Sequence, residues 1–172
     1  QYTPIDEEHP VVAQSPYAAS KIGADQLAIS YFRSFGTPAK IVRPFNTFGP
    51  RQSARAVIPT IISQLLKGVE VNLGNLSTTR DLTYVKDTCK GFIDVFKSEK
   101  LFGEITNIGA NKEVSIASLR DKIAALMCKE FKSICDESRI RPDASEVVQL
   151  RCDNSKLLKH SSWKPDYTLE EG

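Results

Sequence analysis

The chain has 172 residues, of which 41% are hydrophobic and 26% are charged, and its formal net charge is only +2. These values suit one globular domain, or a large part of one, with enough apolar residues to form a core. The Lys and Arg residues are scattered without a long basic run, which argues against a nucleic-acid partner. No apolar stretch approaches the roughly 18 residues that cross a bilayer, so we expect no membrane partner.

The cysteines and histidines offer no metal site. The four cysteines include no Cys-x-x-Cys pair, and the two histidines, His9 and His160, lie far from them in the sequence. No zinc-ligand spacing results, so we predict that no metal is bound. We expect reduced cysteines, some of them buried, in a cytoplasmic protein.

The first predicted element is a long helix that follows an exposed loop over residues 1–14. Ser15 can cap the free N–H groups of this helix, and Pro16 suits its first position. The helix is predicted to run to Phe35, because Gly36 and Pro38 then interrupt the chain.

Strand and helix patterns then alternate along the chain. We predict a buried strand over residues 39–43, a loop over 44–55 and a helix over 56–67. Two further strands are predicted over residues 69–73 and 82–85.

The second half of the chain continues this alternation. Asp87 is predicted to cap a helix that runs to Lys97, with Phe92, Val95 and Phe96 directed inward. A strand over residues 104–108, an amphipathic helix over 116–131 and a small helix over 154–159 complete the prediction. Strands alternating with helices indicate an α/β fold.

The glycine-rich turn that binds a dinucleotide phosphate in many α/β folds is missing. The sequence contains no Gly-x-Gly-x-x-Gly segment. It starts with Gln1 rather than Met, and residues 168–172 resemble the first turn of a longer helix. We therefore expect a piece of a longer protein, and any turn that binds a dinucleotide phosphate is not in this chain.

Tyr17 and Lys21 form the pair with the clearest chemical use. They are four residues apart in the predicted helix and so share one face. A free phenol has a pKa of roughly 10, and a neighbouring ammonium stabilises the phenolate, which can then act as a base. A lone Tyr-x-x-x-Lys is a weak signal, because half-exposed structural pairs of this kind are common.

The wider context resembles the extended short-chain dehydrogenases/reductases that act on nucleotide sugars. The segments that carry the resemblance follow the family's order and cover nearly the whole chain. They are residues 15–21 (SPYAASK), 43–51 (RPFNTFGPR), 79–87 (TRDLTYVKD) and 107–109 (NIG), and then Arg141-Pro142 with Asp153 and Lys156.

The resemblance implies a catalytic and cofactor site for NAD. Tyr17 is expected to be the catalytic base and, with Lys21, to contact the cofactor, since Lys21 would hold the nicotinamide ribose. Pro44 and Phe45 are expected to line the nicotinamide pocket.

The resemblance also implies a nucleotide-sugar site. Asn46, Arg80 and Arg141 are expected to bind the diphosphate, for which the planar arginine fork is well suited. Val57 lies in residues 51–59, which resemble the loop and helix start that contact sugar and base. Without this context, a salt bridge between Arg80 and the adjacent Asp81 would be an equally good interpretation.

More narrowly, residues 43–62 resemble N-acetylglucosamine-nucleotide 4,6-dehydratases. Such enzymes oxidise C4 with NAD, eliminate water across C5–C6 and return the hydride to C6. Ala144 departs from the acidic residue that many relatives have there, which puts a base or ribose contact in doubt. A nucleotide-sugar 4-epimerase and a non-catalytic NAD-binding relative remain alternatives, because the residues that decide between them precede Gln1 in the family.

The implied fold is the C-terminal part of a Rossmann-like, doubly wound parallel sheet plus a small α/β substrate-binding lobe. Residues 1–56 and 74–115 are assigned to the sheet part, and 57–73 and 116–172 to the lobe. The isolated chain is expected to be inactive, and the full-length protein to be a homodimer through the tyrosine helix, where Ala28, Tyr31 and Phe32 could make the contact.

Overall fold

A computed structural model of the chain describes residues 2–140 and 146–172. Helices and strands alternate, which confirms the α/β class. The helices are α1 (Pro16–Phe35), α2 (Val57–Lys67), α3 (Val85–Lys97), α4 (Ile116–Leu126) and α5 (Ser155–His160). The strands are β1 (Ile41–Pro44), β2 (Asn46–Phe48), β3 (Glu70–Leu73), β4 (Thr79–Tyr84), β5 (Ile105–Ile108), β6 (Glu113–Ser115) and β7 (Lys132–Cys135). In this described part, no helix has the length and apolar character needed to cross a membrane.

The strands pair mostly in parallel. β1 pairs with β5 and β3 with β7, while β4 lies between a parallel β2 and an antiparallel β6. Because β1 ends at Pro44 and β2 starts at Asn46, the chain leaves β1 at its carboxyl end around Phe45. Ligands of open α/β sheets bind at this edge.

Helix α1 has the ends that the sequence predicts. The Ser15 hydroxyl accepts a hydrogen bond from the Ala18 N–H at 3.1 Å, and Gly36 ends the helix with a left-handed φ of 66°. An ion pair between Arg43 of β1 and Asp25 of α1, 2.7 Å long, connects the helix to the strand. None of the residues of α1 is buried in the chain.

Two apolar clusters form the core. One joins α2 and α4 to β3, and it consists of Ile61, Leu65, Val71, Leu73, Ile116, Leu119, Ile123 and Ala124. The other joins α3, α5 and β5, and it consists of Val95, Leu101, Ile108, Leu157 and Trp163. The eight residues of the first cluster all lie in the segments assigned to the lobe, whereas the second cluster joins residues of both parts. The division of the chain stays a prediction.

Three short strands were not predicted. β2 lies inside the predicted loop over residues 44–55, and β7 begins just past the end of the predicted helix over residues 116–131, which stops at Leu126 as α4. β6 precedes α4. Each has only three or four residues and is defined by its pairing with distant strands, so it lacks a long alternating pattern.

The predicted inward face of α3 was wrong at two positions. Val95 is buried, but Phe92 and Phe96 are exposed, and Gly91 occupies the inner face instead. A Cβ at Gly91 would lie 2.7 Å from Ile108 Cδ1, so the absent side chain allows α3 to approach β5 closely.

Asp87 does not cap α3 as predicted. Tyr84 precedes the helix, and the buried Asp87 carboxylate lies in its first turn. It accepts hydrogen bonds from the backbone N–H groups of Asp166 (2.9 Å) and Tyr167 (3.2 Å), and its own carbonyl accepts one from Trp163 Nε1. Asp87 thus connects residues 163–167 to the start of α3 through hydrogen bonds.

Candidate active site

A cavity of about 680 Å³ lies where the start of α1, the β1–β2 junction, the start of α2 and β4 meet. Most of the predicted site residues line it. These are Tyr17, Pro44, Phe45, Asn46, Val57 and Arg80. We call it the arginine cavity, because Arg55, Arg80 and Arg139 all contribute to its wall.

A second cavity of about 560 Å³ lies on the other side of Tyr17. Lys21 lines this cavity and not the first, and Pro44, Phe45 and Tyr17 line both. Val11 and Val12 add apolar side chains to its wall. We call it the lysine cavity. Tyr17 therefore stands between two cavities, one with an ammonium group and one with guanidinium groups.

The helix positions the tyrosine and the lysine together. The Lys21 ammonium lies 5.5 Å from the centroid of the Tyr17 ring, within the range of a cation–π contact. Tyr17 is 72% exposed, and it lines both cavities. The shared helix face that the four-residue spacing predicts is confirmed.

Arg80 is held by acceptors from another part of the chain. Its guanidinium donates to the carbonyls of Thr79 and Val147, both at 2.7 Å, and to the Glu146 carboxylate at 3.3 Å. The alternative salt bridge between Arg80 and Asp81 is therefore not the arrangement in the structure. Neighbouring residues of a strand point to opposite faces, which separates the two side chains.

Asp81 has a structural position instead. It is fully buried, and its carboxylate accepts hydrogen bonds from the N–H groups of Ala110 (2.9 Å) and Cys152 (3.0 Å). Burial raises the pKa of the Asp81 carboxyl above its ordinary value of 3.8, although these backbone hydrogen bonds act in the opposite direction. Asp81 joins the loop after β5 to the segment before α5.

Several residues of the arginine cavity were not predicted as site residues. They are Gln52, Arg55, Asn75, Thr78, Arg139 and Glu146. Gln52 and Arg55 lie within residues 51–59, so the resemblance of that segment already pointed to them. Asn75 and Arg139 lie in polar segments without a periodic pattern, which gave no sequence signal. Residues 145–147 fit the narrower dehydratase resemblance, but Glu146 was not predicted to be a site residue.

Arg141, the second predicted diphosphate clamp, lies outside the described residues, as does Ala144. Among the described arginines of the cavity wall, Arg80 pairs with Glu146 and Arg139 pairs with Asp136. Arginine forks bind phosphate oxygens through charge-assisted, often bidentate hydrogen bonds, so the arginine cavity is chemically suited to a phosphorylated ligand.

Comparison with known proteins supports this interpretation of the site. The family model for GDP-mannose 4,6 dehydratase matches residues 1–172, the whole chain. The chain belongs to the NAD-dependent epimerase/dehydratase family of extended short-chain dehydrogenases/reductases. The family resemblance predicted from the motifs is thereby confirmed.

Two curated relatives of this epimerase/dehydratase chain come from archaea. The low-salt glycan biosynthesis protein Agl12 of Haloferax volcanii is 33% identical over 168 residues, which are 96% of this chain and 52% of the relative. A putative UDP-glucose 4-epimerase of Methanocaldococcus jannaschii is 33% identical over 175 residues, 99% of this chain and 55% of the relative. The chain thus spans about half the length of these relatives.

Solved structures of the family confirm the Rossmann-like fold. The dTDP-glucose 4,6-dehydratase of Bacillus anthracis, in complex with NAD, is 28% identical with a TM-score of 0.85, over 98% of this chain and 52% of that one. The UDP-glucuronic acid 4-epimerase of Bacillus cereus, in complex with UDP-glucuronic acid and NAD, is 25% identical with a TM-score of 0.91, over 100% of this chain and 54% of that one.

Proposed function

We propose that the protein is an NAD-dependent nucleotide-sugar 4,6-dehydratase. The observation that carries the proposal is the position of Tyr17 between the lysine cavity and the arginine cavity. A base in this position can reach a hydroxyl of a ligand in one cavity while a cofactor ring occupies the other.

The lysine cavity has the residues to hold the nicotinamide end of NAD. Pro44, Phe45, Val11 and Val12 offer apolar surface to a ring, and Lys21 offers an ammonium donor to a ribose hydroxyl. When bound, NAD supplies the hydride acceptor that sugar oxidation requires. The glycine-rich turn for its phosphates is not among the 172 residues.

Tyr17 and Lys21 would share the proton chemistry. Tyr17, as a phenolate, would accept the proton of the sugar C4 hydroxyl. The nearby Lys21 ammonium would stabilise the negative charge of the phenolate before the proton is transferred. Tyr17 takes this role because it lines both cavities. Lys21 borders only the lysine cavity, which suits a cofactor contact.

The arginine cavity would bind the nucleotide sugar. Arg80, with Arg55 and Arg139 near it, would neutralise the diphosphate, and Asn46 would add a neutral hydrogen bond. Val57 offers apolar surface at the start of α2. An N-acetylglucosamine nucleotide is the proposed substrate because of the resemblance of residues 43–62, and Arg141 stays a predicted second clamp.

A nucleotide-sugar 4-epimerase is the second candidate function. The putative epimerase of Methanocaldococcus jannaschii and the epimerase of Bacillus cereus are as similar to the chain as the dehydratases are. Both reactions begin with the same oxidation at C4, for which Tyr17 would be the base in either case. They differ only in what happens to the keto sugar.

Mass spectrometry separates the two functions. The complete gene product would be incubated with NAD and UDP- or GDP-N-acetylglucosamine. A dehydratase product has lost the mass of one water, and Tyr17→Phe should lower the rate by about 10²–10⁴-fold. Tyr167→Phe, which removes a hydroxyl outside both cavities and outside α1, serves as the control.

The other outcomes of this experiment are equally informative. An unchanged mass with a new sugar stereoisomer would establish the epimerase instead. Absence of any reaction with nucleotide sugars would contradict both functions and favour the non-catalytic alternative.

The proposal includes a homodimer and a cytoplasmic location. Helix α1 exposes Leu27, Tyr31 and Phe35, which are spaced by four residues and so lie on one face. Phe32, by contrast, packs beside Gly103 in the same chain and is less available for a partner. All four cysteines are free thiols, which is consistent with a reducing compartment.

A further inference from the structure

The lysine cavity has two positive and two negative side chains in its wall. The charged and titratable groups among the described residues that line it are Asp6, His9, Tyr17, Lys21, Asp25 and Arg43. On the other side of Tyr17, the arginine cavity adds Arg55, Arg80, Arg139 and Glu146. Because opposite charges at short range attract strongly, the pairing within the lysine cavity determines which cation is available to a ligand.

Both carboxylates of the lysine cavity have partners other than the lysine. Arg43 Nε lies 2.7 Å from Asp25 Oδ2, and the two side chains are only 25% and 18% exposed, so water screens this pair incompletely. Asp6 accepts hydrogen bonds from the Tyr2 hydroxyl at 2.5 Å and from the Glu8 N–H at 3.1 Å. Arg43 therefore neutralises the carboxylate that belongs to the tyrosine helix itself.

This pairing leaves Lys21 available to other groups. In the part of the chain that the structure describes, its ammonium forms no ion pair, and it lies 5.5 Å from the centroid of the Tyr17 ring. Asp25 follows Lys21 by four residues in α1, and opposite charges at this helical spacing attract each other. Without Arg43, Lys21 is the cation of this cavity that would neutralise Asp25.

We propose that Arg43 is a positioning residue that binds the Asp25 carboxylate and thereby keeps the Lys21 ammonium beside Tyr17 and available to the cofactor. When Arg43 is absent, Asp25 draws Lys21 along the helix, away from the phenolate and from the ribose hydroxyl. This inference rests on the proposed function, because it assumes the roles of Tyr17 and Lys21 given there. If the ion pair only connected α1 to β1, removal of Asp25 together with Arg43 would restore nothing.

Isothermal titration calorimetry on the complete gene product, with NAD as the probe, tests the inference. In Arg43→Met, Asp25 competes for Lys21, so the dissociation constant for NAD should rise by about tenfold, the effect of losing one hydrogen bond from a charged donor. In the double variant Arg43→Met, Asp25→Asn, no carboxylate competes, and the constant should return to within about threefold of the wild-type value. Arg33→Met removes the same charge from an exposed position of α1 outside both cavities and should leave NAD binding unchanged.

The pH dependence of the sugar reaction gives a second measurement, made with the nucleotide sugar that the wild-type protein converts. The Lys21 ammonium stabilises negative charge on Tyr17, so the phenolate forms at higher pH when Lys21 moves away. In Arg43→Met the rate should reach half of its maximum at a pH about one unit higher than in wild type, and the double variant should restore the wild-type profile.

A milder variant keeps the test decisive if Arg43→Met does not fold. Arg43→Gln retains a hydrogen-bond donor for Asp25 but leaves its charge unneutralised. The dissociation constant for NAD should therefore rise by about threefold, and addition of Asp25→Asn should again restore it.

Two results would overturn this inference while leaving the proposed function intact. One is a folded Arg43→Met variant that binds NAD and responds to pH as the wild type does. The other is a folded double variant that is as impaired as Arg43→Met, which would show that the ion pair is structural only. Failure of the wild-type protein to bind NAD would instead overturn the proposed function and this inference together. The NAD measurement requires no sugar, so it applies to a dehydratase and an epimerase alike.

Discussion

Arg80 and Asp81 are adjacent charged residues whose side chains lie in different surroundings. The alternation of side chains along β4 directs Arg80 to the arginine cavity and Asp81 into the protein interior. There the Asp81 carboxylate satisfies two backbone N–H groups that no water can reach. The charge pattern alone suggested a salt bridge, because a sequence does not show which backbone groups a distant loop leaves without a partner.

Asp81→Ala is expected to destabilise the fold. The substitution leaves the N–H groups of Ala110 and Cys152 buried without acceptors, at a cost of about 2–4 kcal/mol in the free energy of unfolding. Urea denaturation followed by circular dichroism measures this difference. Glu99→Ala, which removes an exposed carboxylate, should change the free energy by less than about 0.5 kcal/mol.

The effect of Asp81→Ala on stability should also depend on pH. Burial raises the pKa of Asp81 in the folded state, so the folded protein holds this proton more tightly than the unfolded chain. The contribution of Asp81 to the free energy of unfolding is therefore fully present below the ordinary carboxyl pKa of 3.8, and it is lost as pH rises through the raised pKa of the folded state. The difference in the free energy of unfolding between wild type and Asp81→Ala should be larger at about pH 4 than at pH 7. The opposite trend would contradict the argument that burial raises the pKa of Asp81.

Several residues of the candidate site could be predicted from the sequence. Tyr17, Pro44, Phe45, Asn46 and Arg80 were all named from motifs, and the structure brings them together at one cavity wall. Their roles stay predictions. The contact between Glu146 and Arg80 could not be predicted, because the two residues are 66 positions apart in the sequence.

The elements differ in how far local sequence determines them. The ends of α1 were predicted because the signals are local: a hydroxyl before the helix, a proline at its start and a glycine after it. The strands β2, β6 and β7 were missed because each is held by partners far along the chain. Tertiary pairing rather than intrinsic propensity forms such short strands.

Ser15→Ala tests the local contribution to α1. Loss of the hydrogen bond from the Ala18 N–H should cost about 1 kcal/mol of helix stability. Because none of the residues of α1 is buried, little tertiary packing compensates, and amide hydrogen exchange across α1 should accelerate by about fivefold. Ser34→Ala, an exposed position in the last turn, is the matched control; equal exchange in both variants would show that the cap contributes nothing.

At the scale of the whole molecule, the exposure of α1 is unusual for a helix of 20 residues. The residues that the structure describes leave Leu27, Tyr31 and Phe35 of this helix exposed. An apolar face of this kind is stable in water when another surface covers it. The α/β class and the Rossmann-like arrangement followed from the order of elements and the motifs. The exposure of α1 could not be predicted, since periodicity shows which residues share a face but not whether anything packs against it.

Tyr31→Glu in the complete gene product tests the proposal that a second copy covers this face. A glutamate at the centre of an apolar helix interface would be buried without a partner, so the dimer dissociation constant should rise by at least about tenfold. Sedimentation velocity over a range of protein concentrations measures it. Arg33→Glu also adds negative charge to α1, but two residues away and therefore on the other side of the helix, and it should leave the dimer intact. A monomeric wild-type protein would refute the dimer. An unchanged dissociation constant in Tyr31→Glu would place the interface on another surface, because burying an unpaired charge in an apolar interface weakens association.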